Sequence, residues 1–88
     1  MSYRVELKPS VVESLAKIPL SDRKRLSKKI DSLAQNPRPR GVIKLAGEED
    51  LYRLRVGDYR IIYQIHQDQL LVLIVRIGNR GDVYRHLP

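Results

Sequence analysis

The chain has 88 residues, room for one domain over residues 1–88 with one modest core, and it contains no cysteine and two histidines. That composition excludes disulfides, thiolate nucleophiles and cysteine-bound metal, and leaves a poor stock of ligands for zinc, so no metal or cofactor is expected. Lys plus Arg number 17 against 10 Asp plus Glu, a net charge of +7, which favours polyanionic partners and nucleic acid above all.

Apolar residues make up 42% of the chain, enough for a globular fold. No apolar run approaches the roughly 20 residues that span a bilayer. The opening MSYRVELKPS carries no apolar signal core. A cytoplasmic protein without membrane contact is the expectation.

In chain order, Tyr3 to Lys8 alternates, with Tyr3, Val5 and Leu7 on one side and Arg4, Glu6 and Lys8 on the other. This is the pattern of a half-buried strand. Pro9 ends it and suits the first turn of a helix, in which Val11, Val12, Leu15 and Ile18 recur at helical spacing. After Pro19 a second helix follows, with Ser21 or Asp22 as its N-cap. Leu26, Ile30 and Leu33 form its apolar stripe, and Arg23, Lys24, Arg25, Lys28 and Lys29 charge its remaining surface. Asn36-Pro37-Arg38-Pro39-Arg40-Gly41 stops the helix in a loop. The two helices read as a hairpin laid against a sheet.

Leu51 to Val56 alternates again, placing Tyr52, Leu54 and Val56 on one face and Leu51, Arg53 and Arg55 on the other. Gly57-Asp58 is a tight turn, so Tyr59 to His66 should return antiparallel. Gln67-Asp68 is a second turn, and Gln69 to Ile77 is apolar enough for a buried central strand. Gly78-Asn79 breaks it, and Val83 to Arg85 reads as a last short extended piece. The expected architecture is α+β in the order β-α-α-β-β-β. The N-terminal strand and the helical hairpin pack on one face of an antiparallel sheet and leave the other face open.

If Leu54 and Val56 face the helices, Arg53 and Arg55 face the open side. Arg60, just across the turn, can reach the same region. Arg80 follows the Gly78-Asn79 break and Tyr84 comes four residues later. Guanidinium groups suit phosphate because they are planar, permanently charged and can donate two parallel hydrogen bonds. A cluster of them can bind a polynucleotide backbone and stabilise the charge of a phosphorane. Tyr84 adds a stacking surface and an ionisable hydroxyl.

Each residue also has a plainer use. Arg53 and Arg55 suit the solvated face of a strand. Arg60 could pair with Asp58, Arg80 could satisfy carbonyls at the turn, and Tyr84 could pack at a rim. The basic run on the second helix is a solvated face or an electrostatic lure for RNA. His66 fits a partly exposed strand position and His86 a chain end. Residue chemistry alone therefore reaches a basic α+β domain that binds RNA or DNA.

The segment Leu51-Tyr52-Arg53-Leu54-Arg55-Val56-Gly57-Asp58-Tyr59-Arg60-Ile61-Ile62-Tyr63 resembles the core signature of the RelE/ParE toxin superfamily. Lys44-Leu45-Ala46-Gly47 resembles the family's Lys-Leu-x-Gly stretch, and Val75 to Tyr84 resembles its closing motif. The likeness spans nearly the whole chain.

This resemblance implies a RelE-type toxin of a type II toxin–antitoxin system. Such a toxin enters the ribosomal A site, against 16S rRNA, and cleaves mRNA there without metal, using the RNA's own 2′-hydroxyl. It implies a cognate antitoxin that wraps the toxin and silences it. The family's working positions fall here at Arg53, Arg55, Arg60, Arg80 and Tyr84; Lys44, Lys28 and Lys29 are further candidate RNA contacts by their charge. The best-known pattern has lysines where Arg53 and Arg55 stand, and arginine cannot serve as the base a lysine could become. Tyr84, activated by nearby arginines, is the better candidate base.

Two other functions share the fold or the charge. A ParE-like toxin would bind and poison DNA gyrase. A non-catalytic RNA-binding module would tolerate Tyr84→Phe. The joint presence of Arg60, Arg80 and Tyr84 favours cleavage over both.

Overall fold

A computed structural model describes residues 2–45, 47 and 50–79. The elements are β1 (Arg4–Leu7), α1 (Pro9–Ala16), α2 (Leu20–Ser32), β2 (Ile43–Lys44), β3 (Leu51–Val56), β4 (Tyr59–His66) and β5 (Leu71–Asn79). They form one five-stranded sheet in the order β1-β5-β4-β3-β2. The α+β class and the expected meander of β3, β4 and β5 are both present.

The sheet is mixed, not wholly antiparallel. β1 pairs parallel to β5, from Arg4 opposite Leu71 to Leu7 opposite Ile74. The helical hairpin between β1 and β2 is the crossover that a parallel pairing requires. β1 is thus an edge strand of the sheet and not a separate piece laid upon it. β2 is an addition to the expected order: two residues of the loop after α2 pair antiparallel with Arg53 and Tyr52. Two residues are too few to show a period, so the sequence carries no sign of them.

Other boundaries move for local reasons. α2 begins at Leu20 with Pro19 as its N-cap, and neither Ser21 nor Asp22 caps it. The Pro19 carbonyl accepts from the Arg23 amide at 2.9 Å, which starts the helix without a side-chain cap. Asp22 instead sits in the first turn, where its charge complements the helix dipole. β5 starts at Leu71, not Gln69, because Gln67–Gln69 form a 3-10 turn and Leu70 takes a left-handed conformation. It also runs through Gly78 and Asn79, which pair with Arg60 and Tyr59. Val83 to Arg85 lie outside the described residues.

The main core lies between the sheet and the helices. Val11, Leu26, Ile30 and Leu33 from the helical layer pack on Tyr52, Leu54, Ile61, Tyr63, Ile65, Val72, Ile74 and Ile77. Tyr63 is the largest fully buried side chain, and its hydroxyl donates to the Pro37 carbonyl at 2.7 Å. Its ring stacks on Tyr52 at a centroid distance of 6.0 Å. The Arg38 guanidinium lies 5.4 Å from the Tyr52 ring centre, closing that edge. The loop after α2 is therefore fastened to the sheet, which orders the approach to β2. Among the described residues no helix is long and apolar enough to cross a membrane.

Candidate nucleic-acid interface

Cross-strand partners share a face of a sheet. The register therefore sorts the basic side chains. Arg53 is opposite Ile62 and Arg55 is opposite Arg60. Ile62 belongs to a small apolar cluster with Leu51, Leu45 and Val75, separate from the helix-facing core. Arg53, Arg55 and Arg60 thus lie on the face away from the helices, in two adjacent rows across the sheet. The alternation read from the sequence placed all three correctly.

Their environments differ. Arg55 is exposed, and its Nε donates to the Gly57 carbonyl at 3.4 Å. Arg53 is half-buried. Arg60 is only 9% exposed, and among the described residues it is the buried one that carries a charge. Its Nη1 donates to the Tyr59 carbonyl at 3.4 Å. A guanidinium held this far from bulk water meets an anion with less screening than a fully solvated one. The expected partner Asp58 is not in the ion pairs formed among the described residues, which join Arg4 to Glu6 and Arg25 to Asp22.

The turn between β3 and β4 is fastened from both sides. Gly57 has φ +60°, and a Cβ placed there would come within 2.9 Å of the Arg25 guanidinium. A side chain at this position would be strained in backbone and would displace Arg25. On the helix side, the Tyr59 hydroxyl donates to Asp22 Oδ2 at 3.4 Å. Partial burial, and then the Asp22 carboxylate, hold the Tyr59 phenol above its usual range. α2 thereby fixes the hairpin that presents Arg55 and Arg60.

Among the described residues, the remaining sequence candidates Lys44, Lys28 and Lys29 lie on other parts of the molecule. Lys44 pairs with Tyr52, which faces the helical layer, so Lys44 lies at the sheet edge on the other side. Lys28 and Lys29 are on α2, within that layer. His66 is on the arginine-bearing face but six residues along β4 from Arg60, about 20 Å away. It sits with Gln64 Oε1 at 3.0 Å from its Nε2. Arg80, Tyr84 and His86 lie outside the described residues.

The sequence reading gave Arg76, a further basic residue of this face, no part in the group. Arg76 is opposite Ile62, so it shares the row of Arg53. A register shift between Ile62 and Tyr63 places both Val75 and Arg76 against Ile62, a β-bulge in β5. The signal was available in the spacing of the core residues Val72, Ile74 and Ile77, whose last step is three and not two.

Comparison with known proteins agrees with this fold. Residues 5–84 match the family model described as ParE toxin of type II toxin-antitoxin system, parDE. The chain is 29% identical to the putative toxin RelE1 of Methanocaldococcus jannaschii, over 98% of this chain and 99% of that one. It is 28% identical to the mRNA interferase toxin RelE of Escherichia coli K12, over 96% and 92%. Among solved structures, the archaeal RelE–RelB complex from Pyrococcus horikoshii superposes with a TM-score of 0.82. The identity there is 38%, covering 92% of this chain and 98% of that one.

Proposed function

The chain belongs to the ParE toxin family of type II toxin–antitoxin systems and is a RelE-family toxin, and from that premise we propose that it is an endoribonuclease that cleaves mRNA in the ribosomal A site. The observation that carries this reading is the grouping of Arg53, Arg55 and Arg60 in two neighbouring rows of the open face. The named activity of the E. coli relative, an mRNA interferase, supports it.

The chemistry is self-cleavage of RNA. A base takes the proton from a 2′-hydroxyl, and that oxygen attacks the adjacent phosphorus. The bond from phosphorus to the 5′-oxygen breaks, and the leaving oxygen takes up a proton. The products are a 2′,3′-cyclic phosphate and a 5′-hydroxyl. Arg60, shielded by its burial, holds the scissile phosphate and stabilises the dianionic phosphorane. Arg53 and Arg55 orient the flanking message. Arginine stays protonated throughout, so none of the three serves as the base. That role falls to Tyr84, and Arg80 assists the departing oxygen; general acid–base help of this kind is worth about 10²–10⁴-fold.

The partner is an antitoxin, as in the P. horikoshii neighbour, which is a RelE–RelB complex. A segment that folds on binding and carries acidic or apolar side chains would suit the basic face. The family model's own description, ParE toxin, favours one second reading, in which the target is DNA gyrase. An in vitro translation reaction with a defined message separates the two. Mapping 5′ ends by primer extension should show cuts within A-site codons, reduced a hundredfold or more by Arg80→Ala or Tyr84→Phe. Intact message together with blocked supercoiling would establish the gyrase reading instead.

A further inference from the structure

We propose that Arg76 is an RNA-phosphate contact, which together with Arg53 and Arg60 frames the track of the message across the open face. The proposal rests on the RNA-cleaving reading above and adds to it a residue to which the resemblance assigned no role.

Two independent features of β5 carry it. The first is the bulge. Val72 and Ile74 are fully buried against the helical layer. Strict alternation would carry residue 76 into the same layer, where a guanidinium could not be accommodated without large desolvation cost. The bulge sets Val75 and Arg76 together against Ile62, and the core-facing phase resumes at Ile77. Bulges of this kind re-aim a side chain and concentrate beside active sites. Here the re-aimed side chain is a cation, and it arrives in the row of Arg53, two strands away and about 10 Å distant at the backbone. Its half-buried stem, with Nε itself buried, limits its wandering.

The second feature is Gly78, which stands opposite Arg60 in the adjacent row. A glycine inside a strand commonly marks a place where another backbone approaches closely. With no side chain rising beside Arg60 on its β5 side, a sugar–phosphate chain can lie over Gly78 and meet Arg60 on one side and Arg76 on the other. Val75 and Ile62 supply the apolar floor between them.

A purely structural Arg76, present only because it cannot enter the core, would affect stability and nothing else. The distinguishing readout is the salt dependence of binding. Each phosphate contact with single-stranded RNA contributes a slope of about −0.7 in log K against log salt. The probe is the ribosome programmed with a message that carries 2′-O-methyl groups in the A-site codon, so that it binds without being cut. Wild type, Arg76→Gln and Arg76→Lys are titrated from low to moderate salt, with folding of each checked by thermal denaturation. Arg76→Gln should weaken binding on the order of tenfold or more at low salt and flatten the slope by about 0.7. Arg76→Lys should keep the wild-type slope. If Arg76→Gln is folded and binds with the wild-type slope, Arg76 is not a phosphate contact, although the cleavage reading stands. If Arg76→Gln fails to fold, Arg76→Met, which keeps an unbranched stem without the charge, takes its place: a slope flattened by about 0.7 supports the proposal and a wild-type slope overturns it. If wild type binds no programmed ribosome, both fall together.

Discussion

On the helix-covered side of the sheet, Tyr52, Leu54, Ile61, Tyr63, Ile65, Val72, Ile74 and Ile77 make a continuous buried layer. On the opposite side the buried apolar residues among those described are Leu51, Ile62 and Leu71; Leu45 and Val75 pack against the first two, and arginines stand beside them. The same three strands build both. Because side chains alternate, each strand contributes in turn to a dry layer and to a charged one. Neighbouring residues such as Arg60 and Ile61 therefore answer to different demands. Burial of the Ile61 side chain holds the fold together. Desolvation of Arg60 weakens the fold slightly and, on the proposed reading, strengthens its hold on an RNA phosphate.

Substitutions can break this division or sharpen it. The largest effect is expected from Tyr63→Ala, which empties the biggest fully buried side chain. Urea denaturation should show a loss of about 3–5 kcal/mol, and the variant should cut RNA in proportion to its folded fraction. Next comes Arg60→Gln, which should lower the single-turnover cleavage rate by about 10²–10³-fold, the scale of one lost transition-state donor, with little change in the urea midpoint. A smaller effect is expected from Tyr63→Phe, which leaves the Pro37 carbonyl without its partner. Its cost should be about 1–3 kcal/mol, with cleavage at full rate in the folded protein.

The buried phenol also predicts a pH dependence. Burial first, and the Tyr52 hydroxyl second, push the Tyr63 ionisation well above the ordinary phenol value. The folded state thus keeps a proton that the unfolded chain releases above about pH 10. Stability from this group is intact below that pH and falls as pH rises beyond it. Alkaline denaturation of wild type should be steeper than that of Tyr63→Phe. The smallest effect belongs to Asp22→Asn at the hairpin tip. It should change stability by under about 1 kcal/mol, as exposed pairs do, and lower the Tyr59 ionisation measured by ultraviolet titration.

Much of this division is legible in the sequence. The period of two in Leu51 to Val56 and the Gly57-Asp58 turn were enough to place Arg53, Arg55 and Arg60 on one face. They succeeded because half-buried strands obey alternation closely. The parallel seat of β1 was not legible, because a strand's period says which face is buried and nothing about its neighbour. Nor was Arg76, because the bulge slips the phase within an unbroken run of Leu, Val and Ile. Lys44, Lys28 and Lys29 were grouped with the arginines on charge alone, and charge carries no information about which layer a residue occupies.

The most direct test of the central claim is to measure folding and cleavage on the same two variants, Arg60→Gln and Tyr63→Phe. Each is assayed by urea denaturation and by single-turnover cleavage of message on programmed ribosomes. The account predicts a crossed result, with Arg60→Gln stable and nearly inactive and Tyr63→Phe destabilised and active. A folded Arg60→Gln that cleaves at the wild-type rate would contradict it.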